Sequence, residues 1–569
     1  MKYMKRYLFF TVLLAIIFTL QFHILDMDTN QVGEFRGAVM AQEVWNPIIA
    51  GNVNENEIRL VIDNKEFPGS KYQFFMNDKR DIMVPIEILT EALKCSAHVY
   101  QENHLVVEKY VNKLVLSLDN PAAMMDGGSL TMKSPFTKIG GKYYVGINDL
   151  AQILGYQVSF DIGTYTLSAS NTVESSTIFP TRYDLRESER VSDIKNQGGY
   201  GTCWAFAAVS AMESSLLPEE KNLFSVDHMT MCNSFHANQY DGGEYTMGMA
   251  YLAAWQGPVF EADDPYGDDV TNPELTAQKH VQEMQIIESK DFKRIKEAVF
   301  LYGGVQTSLY STMTNRNTSN QYYNNETFAY CYIGTSKPNH DVLIVGWDDN
   351  YPKENFNLTL EGDGAFICQN SWGDKFGDNG FFYVSYYDTN IGTHNVAYTR
   401  IEETDNYSNI YQSDWCGWVG KIGYDAEDMY GANVYTAKEN EVLSAAGFYA
   451  TGVDTEYEIY VVKNFVNTNS FNNKVLVASG TVEQAGYYTI DFDQSINLMA
   501  DERFAVVLYV KTPGSTHPMA IEYDTGDYYM QNVDLSDGES YISYSGLKFT
   551  NVKEKQDCNL CIKAFTKKR

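Results

Sequence analysis

The sequence predicts a multidomain α+β protein: a small duplicated α+β domain, a larger mixed domain, then a β-sandwich. Three observations predict it. At 569 residues the chain is too long for one hydrophobic core, and about 150 residues per domain gives three or four domains. An internal repeat with an offset of 61 residues runs through residues 57–170, aligning Met83–Leu93 with Tyr144–Leu154. From about Asn406 onward Tyr, Val, Thr and Gly dominate, in short alternating stretches separated by turn residues, as packed antiparallel strands require.

Residues 1–41 have the layout of an export signal. Lys2, Lys5 and Arg6 form a basic start, and Leu8–Leu20 is an uninterrupted apolar-to-neutral run. Val39-Met40-Ala41 offers a small-residue cleavage site, although far beyond that run. The alternative is an uncleaved membrane anchor from Tyr7 to about Leu25, interrupted by Gln21 and His23. Both readings place the protein outside the cell or on its surface. Residues 42–170 carry the repeat, each copy reading as a strand, a helix of about two turns and a strand pair. This duplicated unit is similar to the copper amine oxidase N-terminal-like domain. His98 and His104 are single residues at strand positions, so the expectation is a spacer or binding module without metal.

A short polar linker, residues 171–177, leads to the middle domain at residues 178–402. Within it, residues 195–206 read Lys-Asn-Gln-Gly-Gly-Tyr-Gly-Thr-Cys-Trp-Ala-Phe. A glycine-rich turn (Gly198, Gly199, Gly201) stops at Cys203, where the apolar run from Trp204 to Met212 predicts a buried helix. A thiol in the first turn of a helix feels the dipole and the free backbone N–H groups, which favour thiolate. Gln197 can aim its amide at the same spot as an oxyanion donor. The bland alternative is a buried structural cysteine on a core helix.

The motif resembles the active-site segment of papain-family cysteine proteases, and Phe179–Arg186 resembles the start of their catalytic domain. The resemblance covers about residues 178–400. It implies a papain-like two-lobed fold, a helical lobe plus a β-barrel-like lobe, with Cys203 as nucleophile. His340 is the matching imidazole, at the start of an apolar strand and 137 residues after Cys203, within the roughly 130–150 residues typical of such enzymes. Asn370, in Asn-Ser-Trp-Gly, matches the orienting asparagine, and Trp372 the indole that shields its hydrogen bond. The polar insert Asp348–Asp363 accounts for the longer spacing to Asn370, and such insertions are thermodynamically mild. Gly242-Gly243 suits a track where an extended substrate backbone makes strand-like hydrogen bonds. The implied chemistry is acyl transfer: Cys203 thiolate attacks a peptide carbonyl and His340 imidazolium protonates the leaving amine. Asn370 fixes the ring, and Gln197 with the Cys203 N–H stabilises the oxyanion until water hydrolyses the thioester. No metal or cofactor is needed.

Two departures carry expectations. Tyr200 stands where many relatives have a disulfide cysteine, and Cys232 lacks an evident partner, so the usual bridges are expected to be absent. Asp341 follows His340 and Glu244 follows Gly243, both near the pocket for the second residue before the scissile bond (P2). Either the pocket is acidic and takes Lys or Arg at P2, or Asp341 turns into a hydrogen-bond network and the pocket stays apolar.

Residues 403–569 are expected to form a sandwich of roughly jelly-roll type. It is similar to the lectin-like domain that follows the peptidase in some bacterial papain-family proteins, and a glycan or cell-wall ligand follows only by that analogy. A formal net charge of −31 argues against nucleic acid or an anionic membrane as partner. Eight cysteines are too few for a disulfide scaffold, and Cys558-x-x-Cys561 has no second pair for zinc, which leaves a terminal disulfide or two free thiols. The whole predicts an exported cysteine endopeptidase acting on protein or peptide substrates. One rival is a catalytically silent adhesin on a protease shell, which would need none of Cys203, His340, Asn370 and Gln197. The other is an acyl transferase with the same dyad, against which the paired glycines and Asn-Ser-Trp-Gly speak.

Overall fold

The computed structural model describes residues 58–161, 163–171, 179–314 and 317–569. The export segment expected at residues 1–41, and the expected linker apart from Asn171, lie outside them. The repeat folds about a local twofold axis. Strands Ile82–Pro85 and Lys142–Gly146 pair antiparallel with Val84 opposite Val145, two residues one repeat apart. Equivalent residues meet this way only when a twofold rotation relates the copies. Each strand runs directly into a short helix, Leu89–Leu93 and Ile147–Ile153, whose Leu89, Leu93, Ile147 and Leu150 are buried. A five-stranded meander, from Ser96–Tyr100 to Gly128–Thr131, lies between them in sequence.

The middle of the chain has two lobes. Helices Cys203–Leu216, Val226–Met231 and Tyr245–Ala253 make the first. The helix starting at Cys203 buries every side chain from Trp204 to Ser214, because it packs between the other helices and the strands behind it. In the second lobe, strand His340–Asp348 is central and pairs with Val305–Leu309 on one side and Ala365–Gln369 on the other. Its buried Val342–Val345 run explains the apolar stretch in the sequence. Helix Phe292–Leu301 covers this sheet.

The C-terminal region is a sandwich, but it is not a separate bead. Strand Ala485–Leu498 pairs with Glu441–Ala450 of the sandwich, and its first residues pair with His280–Ile287 of the second lobe, Met284 lying opposite Tyr487. One hydrogen-bonded sheet therefore crosses from the middle domain into the sandwich. A six-stranded sheet from Asp428–Thr436 to Thr550–Asn551 packs over it, with Phe448, Leu508, Val506 and Ile562 between. Side-chain hydrogen bonds tie the duplicated domain to the middle domain, among them His98 Nδ1 to Glu219 Oε1 at 3.1 Å. Val99 N donates to Glu219 Oε1 at 2.8 Å, the Tyr100 hydroxyl to Ser188 O at 3.1 Å, and Arg190 Nη1 to Ser96 Oγ at 3.3 Å.

Glu522 is a buried carboxyl in the sandwich. It accepts from Cys416 N at 2.6 Å and Asn559 Nδ2 at 3.0 Å, and burial pushes its pKa from 4.5 up to about 7. A folded-state value above the unfolded one means the folded chain keeps this proton to higher pH. The group is therefore best tolerated below pH 4.5 and costs stability as pH rises through about 7. Glu522→Gln is expected to flatten the fall in melting temperature between pH 5 and 8, a relative gain of about 3 kcal/mol at the alkaline end. Parallel melting profiles for the two proteins would contradict this.

Candidate active site

The turn before Cys203 is glycine-rich because it runs hard against the paired glycines. Gly201 N donates to Gln239 O at 2.7 Å, and a Cβ on Gly201 would lie 2.8 Å from Gly242 N. Gly198 takes a left-handed φ of +65°. The helix then opens at Cys203, with Ala205 N and Phe206 N donating to Thr202 O. Thr202 Oγ1 and the Tyr266 hydroxyl share a 2.7 Å hydrogen bond, and that hydroxyl donates to Gln197 O at 3.0 Å. All eight cysteines are free thiols. Beside the turn, where a bridge is common in relatives, Tyr200 packs on Tyr240 (centroids 4.9 Å apart) and Phe206 meets Tyr266 edge-on at 4.8 Å. Lys195, at the start of the turn, forms a buried ion pair with Glu213 of the helix.

His340 comes from the other lobe. It is 6% exposed, and its Nε2 meets Asn370 Oδ1 at 2.9 Å. That oxygen also accepts from Ser371 N at 2.8 Å, and Asn370 N donates to Gly380 O at 2.9 Å. The Trp372 ring lies over the imidazole, with centroids 4.9 Å apart and planes 27° apart. An amide oxygen only accepts, so it fixes Nε2 as the protonated nitrogen and leaves Nδ1 for proton transfer. Gln197 is held by the neighbouring serine: its N donates to Ser371 O at 2.8 Å and its Oε1 accepts from Ser371 Oγ at 2.6 Å. Its Nε2 donates to Tyr200 O at 2.8 Å, and a primary amide keeps a second N–H. Gly373 N closes the arrangement by donating to Lys195 O at 2.9 Å.

The substrate-side residues divide. A Cβ on Gly243 would lie 2.4 Å from Trp204 Nε1, so the glycine is required by the indole beside Cys203. Glu244 is exposed at the start of helix Tyr245–Ala253. Asp341 is buried with both oxygens occupied: Ser308 Oγ donates at 2.6 Å and Gln306 Nε2 at 3.0 Å. His394 joins this network, its Nδ1 lying 3.2 Å from Ser308 Oγ and its ring stacked on Tyr245. The other histidines have structural neighbours. His228 bonds the Tyr251 hydroxyl at 2.6 Å, and His280 stacks on Trp255 at 3.5 Å.

Burial pushes the Cys203 thiol up to about 12, and the Asp341 charge adds to the shift. Burial pushes the His340 imidazole down to about 4, with the Asn370 hydrogen bond opposing. Each group alone therefore favours its neutral form. Sequence reasoning missed Ser371, Tyr266 and the Lys195–Glu213 pair. Ser371 stood in plain view inside Asn-Ser-Trp-Gly, whereas nothing local marks Glu213 as the partner of Lys195.

Three parts of the chain match known protein families. Residues 179–401 match the papain family cysteine protease family, residues 56–169 the copper amine oxidase N-terminal domain, and residues 410–566 the lectin like domain. The chain is similar to cathepsin S of Mus musculus, 26% identical over 263 residues, covering 43% of this chain and 71% of that protein. Among solved structures, it is similar to the clostridial cysteine protease Cwp84 after propeptide cleavage. The identity is 28% and the TM-score 0.61, covering 68% of this chain and 99% of that one. A second structure holds the cysteine protease and lectin-like domains of Cwp84, a surface layer associated protein of Clostridium difficile. It is 27% identical with a TM-score of 0.60, covering 70% of this chain and 90% of that one.

A negative charge beside a thiol disfavours the thiolate, so removing it must move the thiol pKa down. Asp341→Asn, which preserves the side-chain size, is expected to shift the onset of Cys203 alkylation by iodoacetamide to lower pH. An onset that stays put or moves up would show that the Asp341 charge does not reach the sulfur.

Proposed function

From the premise that this chain is a papain-like cysteine protease, preceded by a copper amine oxidase N-terminal-like domain and followed by a lectin-like domain, we propose that it is an exported endopeptidase whose machinery is Cys203, His340, Asn370 and Gln197. The observation that carries the assignment is the pairing of two side chains in one short segment. Asn370 holds His340 Nε2 while its neighbour Ser371 holds the Gln197 amide. An adhesin on the same shell would need neither. Export is supported by the signal-like residues 1–41 and by likeness to a surface layer associated protein. Among the described residues no helix is long and apolar enough to cross a membrane. The lectin-like sandwich suits retention of the enzyme at a glycan-bearing surface.

In the proposed mechanism, a peptide lies extended along Gly242-Gly243 and presents its carbonyl to Cys203. The thiolate adds to the carbonyl carbon, and the oxyanion is met by the Cys203 N–H and the free N–H of Gln197 Nε2. His340 Nδ1 protonates the leaving amine, then takes a proton from the water that hydrolyses the thioester. Trp372 keeps solvent off the His340–Asn370 hydrogen bond, which holds its strength where water is excluded. Because both Asp341 oxygens are already bonded, the P2 pocket is proposed to take uncharged side chains, with Asp341 acting as a positioning residue.

Labelling the full chain with a thiol-directed peptidyl epoxide tests the assignment. The adduct is expected on Cys203 alone, and Cys203→Ala is expected to abolish casein cleavage; a label elsewhere with cleavage retained would refute it. Gln197→Ala should lower kcat by about 10²-fold, as loss of one oxyanion donor does. Ser371→Ala, which only frees that amide, should cost about tenfold. Among peptides differing only at P2, Leu should be cleaved several-fold faster than Arg, and the reverse order would restore an acidic pocket.

A further inference from the structure

The sandwich reaches the substrate track. Its 3₁₀ turn Tyr528–Met530 leaves the sandwich surface and docks on the helical lobe. Met530 is 4% exposed and buried in the core of the middle domain, so it anchors the turn. The Tyr529 hydroxyl donates to Asp241 O at 2.8 Å, and His236 N donates to Tyr529 O at 2.9 Å. The Tyr528 ring meets His236 edge-on at 4.7 Å. Asp241 is the residue immediately before Gly242-Gly243. Moving outward from Cys203, the order is Trp204 against Gly243, then Gly242, then Asp241 under Tyr529.

An extended peptide advances about 3.3 Å per residue. A substrate laid along the glycines towards Asp241 would run on to the residue that Tyr529 covers, upstream of the residues beside Cys203. The surface it meets there is not neutral. Tyr240 is 73% exposed and Tyr528 45% exposed, and Asp241 and Glu244, close to Tyr240 in sequence, are exposed too. Aromatic faces beside carboxylates attract a cation through the ring quadrupole as well as through charge. The turn is also anchored on the helical lobe, because Met530 is buried in the middle domain's core and Tyr529 O accepts from His236 N. A side chain on such a support is preorganised for recognition.

We propose that Tyr529 of the lectin-like domain, with Tyr528, Asp241 and Glu244, forms an outer subsite of the peptide cleft. It selects a Lys or Arg side chain at the third or fourth residue before the scissile bond. The proposal rests on the endopeptidase reading above and adds a specificity-determining role for the sandwich. Tyr529 touches substrate in it and takes no part in bond breaking.

The test uses the full chain and three peptides with the same residues from P2 onward: one unextended, one extended upstream by a Lys-containing dipeptide, one by a Glu-containing dipeptide. The wild type is expected to give a kcat/KM more than about tenfold higher for the Lys-extended than for the Glu-extended peptide. Tyr529→Ala should bring that ratio to within about threefold. Tyr529→Phe keeps the ring and the Met530 anchor, so it should keep most of the selectivity. A Tyr529→Ala ratio equal to that of wild type would remove the sandwich from the cleft. A Phe variant as deficient as the Ala variant would show that the ring is not what binds. A wild type that cleaves the unextended peptide but gains nothing from the Lys extension overturns the subsite alone. Failure to cleave the unextended peptide overturns the peptidase reading with it.

Discussion

The structure depends on one short antiparallel tie between two distant segments, residues 195–197 and 371–373. Gln197 N donates to Ser371 O, Gly373 N donates to Lys195 O, and Asn196 faces Trp372 across the bridge. One segment leads within six residues to Cys203, and the other begins one residue after Asn370. The tie therefore links the turn before Cys203 to the segment after Asn370, whose side chain holds His340. Two internal locks keep the first segment in place. Lys195 is ion-paired to Glu213 on the helix, and Tyr266 joins Thr202 to the Gln197 carbonyl. Where many relatives have a disulfide, this chain has packed aromatic rings, which stabilise the turn without needing an oxidised pair.

The electrostatics of the site follow from burial. Cys203 and His340 both sit where a lone charge is disfavoured, and the Asp341 carboxylate next in sequence to His340 makes a thiolate harder still. An ionised thiol there would need a positive neighbour, which makes the geometry that holds the His340 imidazole matter to reactivity. Asn370 and Trp372 fix that geometry, and both belong to the segment that clamps the Gln197 amide. His340 lies at the start of the second lobe's central strand, its backbone paired with Leu309 and its Nε2 held by Asn370 Oδ1.

Much of this was legible in the sequence, for a physical reason. A cysteine at a helix start, glycines against a backbone and an imidazole at a buried strand are local patterns, readable from Cys203, Gly242-Gly243 and His340 with their neighbours. The repeat was legible as an offset of 61 residues, and the structure gives that offset a meaning by setting Val84 opposite Val145. What the sequence did not reveal depends on pairing across long separations. Nothing in residues 485–488 marks them as partners of His280–Ile287, and nothing in Tyr529 marks it as a neighbour of Asp241, 288 residues earlier. The orientation of Asp341 was undecidable for the same reason, since Ser308 and Gln306 lie on the paired strand. Residue types show what chemistry is available, and long-range pairing decides which way it faces.

The central claim is that Cys203 is ionised by His340, against a burial that favours the neutral thiol. The direct measurement is the thiolate absorbance near 240 nm across pH, taken as the difference between the wild type and Cys203→Ala, and repeated in His340→Gln. The wild-type difference signal is expected well below the ordinary thiol pKa of about 8.5, moving above it when the imidazole is removed. Signals that coincide in the two backgrounds, or a wild-type thiolate that forms only in alkaline solution, would contradict it.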